Sequence, residues 1–586
     1  MCGIAGIVRF DGGALAQVER ARGMRRQLRH RGPDGEGEFL NRDAALEHTR
    51  LALLDRAGGA QPMTSADGRY TIVYNGEVYD HEALRGRLAY PFSTRSDAET
   101  VLAAFLEWGP GCVELLNGMF AFFVWDAEAR RGFAARDRLG VKPLAYAWDG
   151  VEFVFASEAN VVARALAGPV RANEDAVLEY LVAPYFSGVA QPMFAGVSYL
   201  QPGHWLELGP EGPAVRRYYQ FEVARGGEGP SDEALRGAFE RAVQRACVAD
   251  EPLGLFLSGG LDSTAIAAVA AKVLTGQPRL RAYSIMFEEM DLFGYGPRHG
   301  KSTIVVSNDM GYVEVARLAT GVDWRGVRVP RAALAADLER VATTNDALPA
   351  WEQEVAQDRL ARATAEENIK AVLVGDAADE THYGYHFLLD PEATASPRAI
   401  LERFGGVAVR REVMADPVAV FADRYHAWMR GGDEDERIAG TTRLIVERWL
   451  PRLLHNGDIH CMRSGVEARV PFADIELLAL AATVPPRAGL QGGEKARLRA
   501  ALRGVVPEEI RTRRKSALPK DQHAQAVYQS EAARLLSEPP ALVRELVDVA
   551  AMRPLLDPSR ELGEWERAGL YRLIGLCHFS RHYGIP

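Results

Sequence analysis

A cysteine stands directly after the initiator methionine, in the opening run MCGIAGIVRF. Cysteine is small enough for an aminopeptidase to remove the methionine before it, and Cys2 would then carry both a thiol and a free α-amine. Such an amine titrates with a pKa of about 7.7–8.0, so it can take the proton of its own thiol near neutral pH. The position predicts an activated nucleophile; the alternative is that Cys2 merely neighbours a start site.

The stretch LFLSGGLDSTAIAA, residues 255–268, combines a buried strand, a glycine-rich loop and the start of a helix. The backbone N–H groups of such a loop and the amino end of its helix form a site for an anion such as phosphate. Glycine lets the backbone approach phosphates closely, and Asp262 is placed to hold a magnesium ion against them. The loop lacks the GK[ST] ending that cradles a transferable γ-phosphate. The alternative is a purely structural turn.

A second loop with acidic side chains, GDAADE at 375–380, follows another predicted strand. The carboxyl ends of parallel strands meet at one edge of a sheet, where ligands bind. We therefore expect Asp262 and Asp379 to lie close together, and paired carboxylates beside a phosphate suit magnesium. The alternative for this loop is an acidic turn in contact with solvent.

The sequence predicts two domains of different fold, one around Cys2 and one around the two aspartate loops. Residues 1–208 contain short alternating segments with a few helices between them, which predicts a layered α+β domain built on antiparallel sheets. Residues 209–231 are dense in Gly and Pro and are predicted to be a linker. Residues 232–586 predict an α/β domain with a parallel sheet and a mostly helical C-terminal part. The predicted strands include 70–80, 119–126, 132–137, 152–158, 254–257 and 370–375, and the predicted helices include 97–109, 232–246 and one from about Thr264.

The bulk composition is that of a globular protein in a reducing compartment. Hydrophobic residues make up 47% and charged residues 25% of the 586, which is ordinary for a globular chain, and the length favours two domains. The formal charge of −10 argues against nucleic-acid binding, and five scattered cysteines disfavour disulfides and zinc. Without an apolar run of ~20 residues or a signal-peptide pattern, we expect a cytoplasmic protein with no membrane or nucleic-acid partner.

The chain resembles a known enzyme family over nearly its whole length. Seven motifs of the N-terminal part resemble the class II glutamine amidotransferase domain: CGI (2–4), RHRGPDGEG (29–37), HTRLALLD (48–55), YNGEVYD (74–80), RSDAE (95–99), GMFAFFVWD (118–126) and RDRLGVKPLAY (136–146). Four later motifs resemble the synthetase domain of glutamine-hydrolysing asparagine synthetase: SGGLDS (258–263), GDAADE (375–380), GVEARVPFAD (465–474) and EKARLR (494–499).

The resemblance implies that the first domain is an αββα sandwich of the N-terminal-nucleophile hydrolase type, which hydrolyses glutamine. An amino acid substrate needs one cationic and one anionic group to hold it, and a planar guanidinium suits its carboxylate. An oxyanion hole stabilises the tetrahedral intermediate. The matching residues are Cys2 for the nucleophile, Asn75 and Gly76 for the oxyanion hole, Arg50 for the α-carboxylate, and Glu77 and Asp97 for the α-ammonium group.

For the second domain, an α/β ATP pyrophosphatase, the resemblance implies that ATP adenylates a carboxylate and that ammonia, arriving through an internal passage, displaces AMP. The expected ligands are ATP, Mg²⁺ and a small carboxylate acceptor, free or bound to a carrier, in a chain expected to form a homodimer. The matching residues are Ser258, Gly259, Gly260, Asp262 and Ser263 for the pyrophosphate loop, Leu257, Ile285 and Gly375 for the rest of the ATP site, Asp262 and Asp379 for the metal, Lys495 for charge neutralisation and Asp376 for deprotonating ammonia. The alternative for Lys495 is a solvated helix lysine.

The departures from the family pattern concentrate on the acceptor side. Ala377 and Ala378 stand in a loop that is commonly glycine-rich, and Met286 stands where glycine is common. Segment 343–357 carries Gln353 and Ala356 in place of Ser-x-x-Pro, and THYGYHF (381–387) replaces VFGGY and keeps only Gly384 and Tyr385. The long connection 290–308 is either a lid over the acceptor or a tolerated surface loop. These changes predict an acceptor other than aspartate.

Several alternatives stay open from the sequence. Aspartate amidation is the family's default reaction, intramolecular amide closure is less favoured because Cys2 is retained, and a non-catalytic scaffold is least favoured. His455, His460 and Cys461 are predicted to be structural rather than a metal cluster. Arg469 and Lys515 either touch phosphate or face solvent.

Overall fold

The computed structural model describes residues 2–187, 191–276, 279–288, 297–298, 306–307, 309–344, 348–403, 407–429, 432–516, 521 and 523–585. The predicted lid at 290–308 therefore lies outside the described residues, apart from two short strands within it, Pro297–Arg298 and Val306–Ser307.

Two six-stranded antiparallel sheets form the N-terminal region. The strands in chain order are β1 Cys2–Arg9, β2 Gly35–Leu40, β3 Ala44–Arg50, β4 Met63–Thr64, β5 Tyr70–Val78, β6 Gly118–Asp126, β7 Arg131–Arg136, β8 Ala145–Trp148, β9 Glu152–Ala156, β10 Ser198–Tyr199, β11 His204–Gly209 and β12 Gly212–Arg217. The first sheet has the order β10-β8-β9-β1-β3-β2 and the second the order β12-β11-β7-β6-β5-β4.

Apolar side chains from both sheets meet between them. Phe123 of β6 stacks on Phe155 of β9 with ring centroids 4.5 Å apart, and the fully buried Trp125 belongs to the same cluster. The outer faces are covered by helices, α1 and α4 on the first sheet and α3 on the second. The helices of this region are α1 Val18–Gln27, α2 His81–Arg85, α3 Asp97–Trp108, α4 Ala159–Ala165 and α5 Glu174–Val182. The predicted αββα sandwich is confirmed.

The C-terminal region is built on a five-stranded parallel sheet. Its strands are β13 Leu253–Phe256, β14 Arg281–Phe287, β17 Asp323–Val329, β18 Ala371–Leu373 and β19 Glu467–Arg469, where β15 and β16 denote the two short strands within 290–308. The order is β17-β14-β13-β18-β19, so β13 and β18 are neighbours and their carboxyl ends meet at one edge. The predicted parallel sheet is confirmed.

Helices surround this sheet and make up nearly all of the chain after it. In chain order they are α6 Asp232–Ala246, α7 Leu261–Val273, α8 Met310–Thr320, α9 Leu334–Thr344, α10 Gln353–Glu366, α11 Ala378–Thr381, α12 Pro397–Arg403, α13 Pro417–Tyr425, α14 Glu434–Leu444, α15 Leu450–Met462, α16 Ile475–Ala482, α17 Pro486–Leu490, α18 Ala496–Ala501, α19 Glu508–Thr512, α20 Gln525–Leu536, α21 Ala541–Leu546, α22 Val549–Met552 and α23 Glu564–Tyr583. A π-helical turn, Ile445–Trp449, joins α14 to α15. None of the helices among the described residues has the length and apolarity that crossing a membrane requires.

Two boundaries differ from the sequence predictions. Helix α7 begins at Leu261, three residues before the predicted start, because the glycine loop turns directly into the helix at Gly260. The segment predicted as a linker, 209–231, contains strand β12, which pairs with β11 at the edge of the second sheet. Gly and Pro at the hairpin and on an exposed edge strand produced the linker signal, because both residues are common there.

Candidate active sites

The first candidate site, which we call the thiol site, surrounds Cys2 at the start of β1. Cys2 is opposite Arg50, the last residue of β3, and only 7% of it is exposed. Its backbone N–H donates to Asn75 Oδ1 at 3.0 Å. That nitrogen becomes the α-amine once the preceding methionine is removed. Antiparallel pairing within one sheet and packing against β5 of the other thus bring together three residues that are far apart in sequence.

Asn75 offers a donor that the protein itself does not use. Its Nδ2 is buried and has no hydrogen-bond partner among the described residues. A buried N–H group without a partner costs free energy, and such a group beside a nucleophile fits the oxygen of a tetrahedral intermediate. Gly76, the other predicted oxyanion residue, follows Asn75 on β5 and is half-buried.

Two opposite charges act on the thiol. Burial raises the pKa of the Cys2 thiol, and the Leu51 N–H and the Arg50 guanidinium lower it, whereas Asp97 raises it. Asp97 begins α3, where its Oδ2 accepts from the Tyr74 hydroxyl at 2.6 Å and from the Val78 N–H at 3.0 Å. The structure therefore places one cation and one anion around Cys2, as an α-carboxylate and an α-ammonium group require.

Glu77 is occupied differently from the prediction. Its Oε2 lies 3.3 Å from Nη2 of Arg469, which belongs to β19 in the C-terminal region. Burial raises the pKa of Glu77 to about 8 although Arg469 opposes that rise. Arg469 has no exposed surface and also donates to Glu467 at 2.6 Å. Neither alternative given for Arg469, phosphate or solvent, describes its position: it joins the two regions.

The second candidate site, which we call the two-aspartate site, lies at the edge where β13 and β18 end. Ser258 follows β13, and its Oγ lies 3.0 Å from Ser263 Oγ in the first turn of α7. The Gly260 N–H donates to Ser258 Oγ at 3.3 Å, which closes the loop on itself. A Cβ on Gly375, after β18, would lie 3.3 Å from Asp262 Cβ, so the two loops touch directly.

Lys495 joins the two aspartates of this site. Its Nζ lies 2.6 Å from Asp262 Oδ2 and 2.6 Å from Asp379 Oδ1, and Lys515 also pairs with Asp379. Burial lowers the pKa of Lys495, but the two carboxylates more than offset that effect and raise it. Burial likewise favours a neutral Asp379, and the two lysines overcome this to lower its pKa to about 2. The solvated-helix alternative for Lys495 is wrong, because only 3% of it is exposed.

The donor set of this site fits a divalent cation with phosphates. Asp262 Oδ1 is buried and has no hydrogen-bond partner in the described part of the chain, so one carboxylate oxygen is available to a hard cation. Gly384 makes room for the cluster, since a Cβ there would lie 2.0 Å from Asp379 Oδ1 and 2.4 Å from Lys495 Cε.

Asp376 and Ala377 lie in the loop between β18 and α11, just before Asp379. Burial, and then the neighbouring Asp379, raise the pKa of Asp376 to about 6. A Cβ on Gly457, in α15, would lie 3.4 Å from Asp376 Oδ2. Ala377 adopts a left-handed conformation with φ of 71°, which for a non-glycine residue costs roughly 1–2 kcal/mol. The substitution of alanine in this loop is thus accommodated with strain.

Leu257 and Ile285, the two predicted adenosine contacts, belong to neighbouring strand segments but to different apolar clusters. The Leu257 N–H donates to the Tyr283 carbonyl at 2.9 Å, just beyond the end of β13, and Ile285 lies on β14. Their side chains pack in two separate clusters. The structure thus brings their backbones, rather than their side chains, to one edge of the sheet.

Three buried charged residues lie between the two sites and were not predicted from the sequence as site residues. Arg31 donates to the Cys2 carbonyl at 3.2 Å and to Asp458 Oδ2 at 2.6 Å, and Lys142 Nζ lies 3.5 Å from Asp458 Oδ1. Asp458 follows Gly457, the residue that faces Asp376. Arg31 and Lys142 both lie within motifs of the family resemblance, but only the fold reveals their common partner in α15.

Comparison with known proteins gives a separate family model for each of two parts of the chain. Residues 1–219 match the family model described as a glutamine amidotransferase domain, and residues 234–577 match the one described as asparagine synthase. Asparagine synthetase [glutamine-hydrolyzing] 3 of Bacillus subtilis is 31% identical, covering 89% of this chain and 88% of the relative. Asparagine synthetase [glutamine-hydrolyzing] of Triphysaria versicolor is 28% identical, covering 85% of this chain and 72% of the relative.

A solved structure, the glutamine phosphoribosylpyrophosphate amidotransferase of Bacillus subtilis, overlaps 64% of this chain and 82% of its own with a TM-score of 0.28 and 16% identity. The match of the asparagine synthase model over more than half of the residues is decisive, and the full-length relatives agree with it. The chain belongs to the glutamine-hydrolysing asparagine synthetase family of ATP-dependent ligases.

Proposed function

We propose that the chain moves the amide nitrogen of glutamine onto an ATP-activated carboxylic acid, giving a carboxamide, glutamate, AMP and pyrophosphate. The observation that carries this proposal is the shared wall between the two sites. Arg31 contacts the Cys2 carbonyl and Asp458, and the residue before Asp458 faces Asp376. A nitrogen donor site and a carboxylate-activating site joined in this way suit internal transfer of ammonia.

At the thiol site, the Cys2 sulfur attacks the side-chain carbonyl carbon of glutamine. The α-amine takes the thiol proton, and Asn75 Nδ2 and the backbone at Gly76 stabilise the oxyanion. Arg50 holds the α-carboxylate and Asp97 the α-ammonium group. The protonated α-amine of Cys2 gives its proton to the departing nitrogen, the carbon–nitrogen bond breaks and ammonia leaves, and water then releases glutamate from the thioester. Because Glu77 already pairs with Arg469, its role in this step is to hold β5 against the C-terminal region.

At the two-aspartate site, an oxygen of the acceptor carboxylate attacks the α-phosphorus of ATP, and the bond between the α- and β-phosphates breaks. The loop from Ser258 to Ser263 holds the departing pyrophosphate, and Lys495 and Lys515 offset its charge. Asp262 and Asp379 would hold Mg²⁺. The metal ion would neutralise phosphate charge and so favour release of pyrophosphate.

Ammonia from the thiol site then attacks the carbonyl carbon of the acyl adenylate. The nitrogen loses a proton, which Asp376 accepts, and AMP leaves as the carbon–oxygen bond to its phosphate breaks. A carboxyl group with a pKa near 6 is largely ionised at neutral pH and still basic enough for this transfer.

There are two candidates for the acceptor acid. The names of the relatives favour aspartate, giving asparagine. The rewritten segments 343–357 and 381–387 and the strained Ala377 favour a different carboxylic acid. We take the second as the better supported, because Ala377 and segment 381–387 adjoin Asp379 in the two-aspartate site, while the thiol site retains its expected residues.

The Cys2→Ala variant tests the division of labour. It is expected to lose glutamine hydrolysis and glutamine-dependent amide formation by at least ~100-fold, since the nucleophile is gone. Pyrophosphate release and amide formation supplied with ammonium chloride are expected to stay within about twofold of the parent, because the two-aspartate site is unchanged.

Cys112→Ala is the matched control, since Cys112 is also buried but packs on the far side of the second sheet, against α3. This variant is expected to keep both activities. Loss of ammonium-dependent activity in Cys2→Ala, with retention in the control, contradicts the proposed independence of the two sites.

A further inference from the structure

Five aromatic side chains form a continuous stack beside the two-aspartate site. We call the group of Tyr185, Trp351, Tyr385, Phe387 and Trp449 the ring stack. Tyr185 lies between Trp351 and Trp449, with ring centroids 5.2 Å and 4.0 Å away. Trp449 in turn stacks on Tyr385 at 4.8 Å and on Phe387 at 6.1 Å. The planes of Trp449 and Phe387 are within 7° of parallel.

One end of the ring stack lies beside the residues of the two-aspartate site. The Tyr385 hydroxyl donates to Glu380, the residue after Asp379, and Lys515 Nζ lies 5.8 Å from the Tyr385 ring centroid. Lys515 also pairs with Asp379. A molecule lying on these rings would therefore have its end within reach of the lysine that serves the phosphates.

The ring stack connects two segments in which the family pattern changes. Trp351 lies in segment 343–357, close to the changed positions Gln353 and Ala356, and Phe387 lies in 381–387, where Tyr385 is kept from the family pattern. The two segments are separate in sequence, but Tyr185 and Trp449 connect them in space.

Trp449 is presented by an irregular piece of backbone. It is the last residue of the π-helical turn Ile445–Trp449, and Pro451, which cannot donate a backbone hydrogen bond, follows two residues later. π-helical turns inside longer helices often occur at functional sites, where they redirect side chains. Here the turn directs an indole ring between Tyr185 and Tyr385.

Parts of the ring stack are not covered by the protein. Tyr185, Tyr385 and Phe387 are half-buried, whereas Trp351 and Trp449 are buried beneath them. The stack thus combines buried rings with rings that keep part of their surface exposed. Flat ring faces bind other flat rings in offset or edge-to-face geometry.

Two of the charged groups at the base of the stack, Glu354 and Arg452, are engaged by the protein, while a third, Arg572, lies over the Trp351 ring at 6.0 Å. Glu354 accepts from the Trp351 N–H at 2.9 Å and from the Ala350 N–H at 3.1 Å. Arg452 donates to the Leu348 carbonyl and to Ser187. Aspartate carries an α-ammonium group and a second carboxylate, and each needs an opposite charge when it leaves water. These two charges serve the fold instead.

We infer that the acceptor is an aromatic carboxylic acid, whose ring lies on the ring stack and whose carboxylate reaches the α-phosphate of ATP beside Lys515. This inference rests on the proposed function and names the substrate class of the same site.

The test is an acceptor panel with the full-length enzyme, MgATP and glutamine. Benzoate and cinnamate are compared with aspartate and with cyclohexanecarboxylate, which has a ring of similar size but no π-system. Pyrophosphate release and the amide product are measured for each acid. The aromatic acids are expected to give kcat/KM values at least ~10-fold above those of the other two acids, because ring stacking adds to burial of the apolar surface.

The Phe387→Leu variant tests the surface directly. Its KM for cinnamate is expected to rise about fivefold, in the range of one lost aromatic contact, while the KM for ATP and the rate of glutamine hydrolysis stay unchanged. Tyr90→Leu is the matched control: Tyr90 is also half-buried and loses a ring contact, with Phe92 at 5.1 Å, but lies in the N-terminal region. Equal KM values for cinnamate in Phe387→Leu and the parent would overturn the inference.

Failure of the inference and failure of the proposed function give different results. Efficient amide formation from aspartate, with none from the aromatic acids, overturns the aromatic acceptor and leaves the ligase intact. Calorimetric titration of cinnamate in the presence of a non-hydrolysable ATP analogue reports binding without turnover. If cinnamate binds in this titration but no acid gives pyrophosphate release, the proposed ligase function is overturned. If there is neither binding nor pyrophosphate release, both proposals are contradicted.

Discussion

Asp376 combines a half-buried position with a negatively charged neighbour. Burial and Asp379 raise the pKa of its carboxyl to about 6, so the proton-accepting form predominates above pH 6 and declines as the pH falls through that value. If this carboxylate takes the proton from the attacking ammonia, removing the carboxylate slows amide formation but not adenylation.

In the Asp376→Asn variant we therefore expect amide formation to fall by about 100-fold, at the lower end of general-base contributions, while pyrophosphate release continues. The ratio of amide to pyrophosphate is measured from pH 5 to 8. In the parent this ratio is expected to decline as the pH falls through about 6, and in the variant it is expected to be low throughout. Asp323→Asn, on the half-buried start of β17, is the control. An unchanged ratio in Asp376→Asn would show that another group takes the proton.

At this scale the sequence predicts most of the residues that we propose to react, but not their partners. Cys2, Asn75 and Asp97 stand in motifs and meet at the thiol site, as do Asp262 and Asp379 at the sheet edge. The pairings of Glu77 with Arg469 and of Arg31 with Asp458 join residues hundreds of positions apart. Such pairs leave no local pattern, because only the packing of the two regions creates them.

At the level of elements, the two-aspartate site depends on close packing around Gly384. A Cβ there would lie 2.0 Å from Asp379 Oδ1 and 2.4 Å from Lys495 Cε, so the carboxylate and the lysine must both move. Lys495 itself adopts a left-handed conformation, φ 57°, directly before α18. The turn after α11 and the start of α18 thus fix the position of the ammonium group between the two aspartates.

We expect Gly384→Ala to reduce pyrophosphate release by on the order of 100-fold, as a displacement of about 1 Å does to positioned groups. Glutamine hydrolysis is expected to stay within about twofold of the parent. Gly111→Ala is the matched control, since a Cβ at Gly111 would meet no atom within 4 Å. Full pyrophosphate release in Gly384→Ala would mean that this packing does not position Lys495.

Element types follow from the sequence more readily than element ends. The alternation of 119–126 predicts a strand, and β6 covers Gly118–Asp126; the apolar spacing of 232–246 predicts α6. The start of α7 at Leu261 and strand β12 were not predicted. Glycine and proline mark both loops and edge strands, so composition alone does not separate them. The ring stack was also not predicted, because its five rings come from separate segments.

At the level of the whole molecule, the two regions share a buried and charged interface. Asp458 receives Arg31 and Lys142 from the N-terminal region, and Asn117 donates to Asp474 at 2.9 Å. Removing one partner of a buried ion pair costs roughly 3–5 kcal/mol, so this interface holds the regions in one register. A fixed register is what an internal route for ammonia requires.

The most direct test of this coupling follows the nitrogen itself. Glutamine labelled with ¹⁵N in its side-chain amide is supplied with MgATP, the preferred acceptor acid and a tenfold excess of unlabelled ammonium chloride. Mass spectrometry then measures the label in the amide product, with Cys2→Ala as the control that takes nitrogen only from solution. We predict that most of the product formed by the parent enzyme carries ¹⁵N. A product whose label matches the mixed ammonia in solution would contradict internal transfer between the two sites.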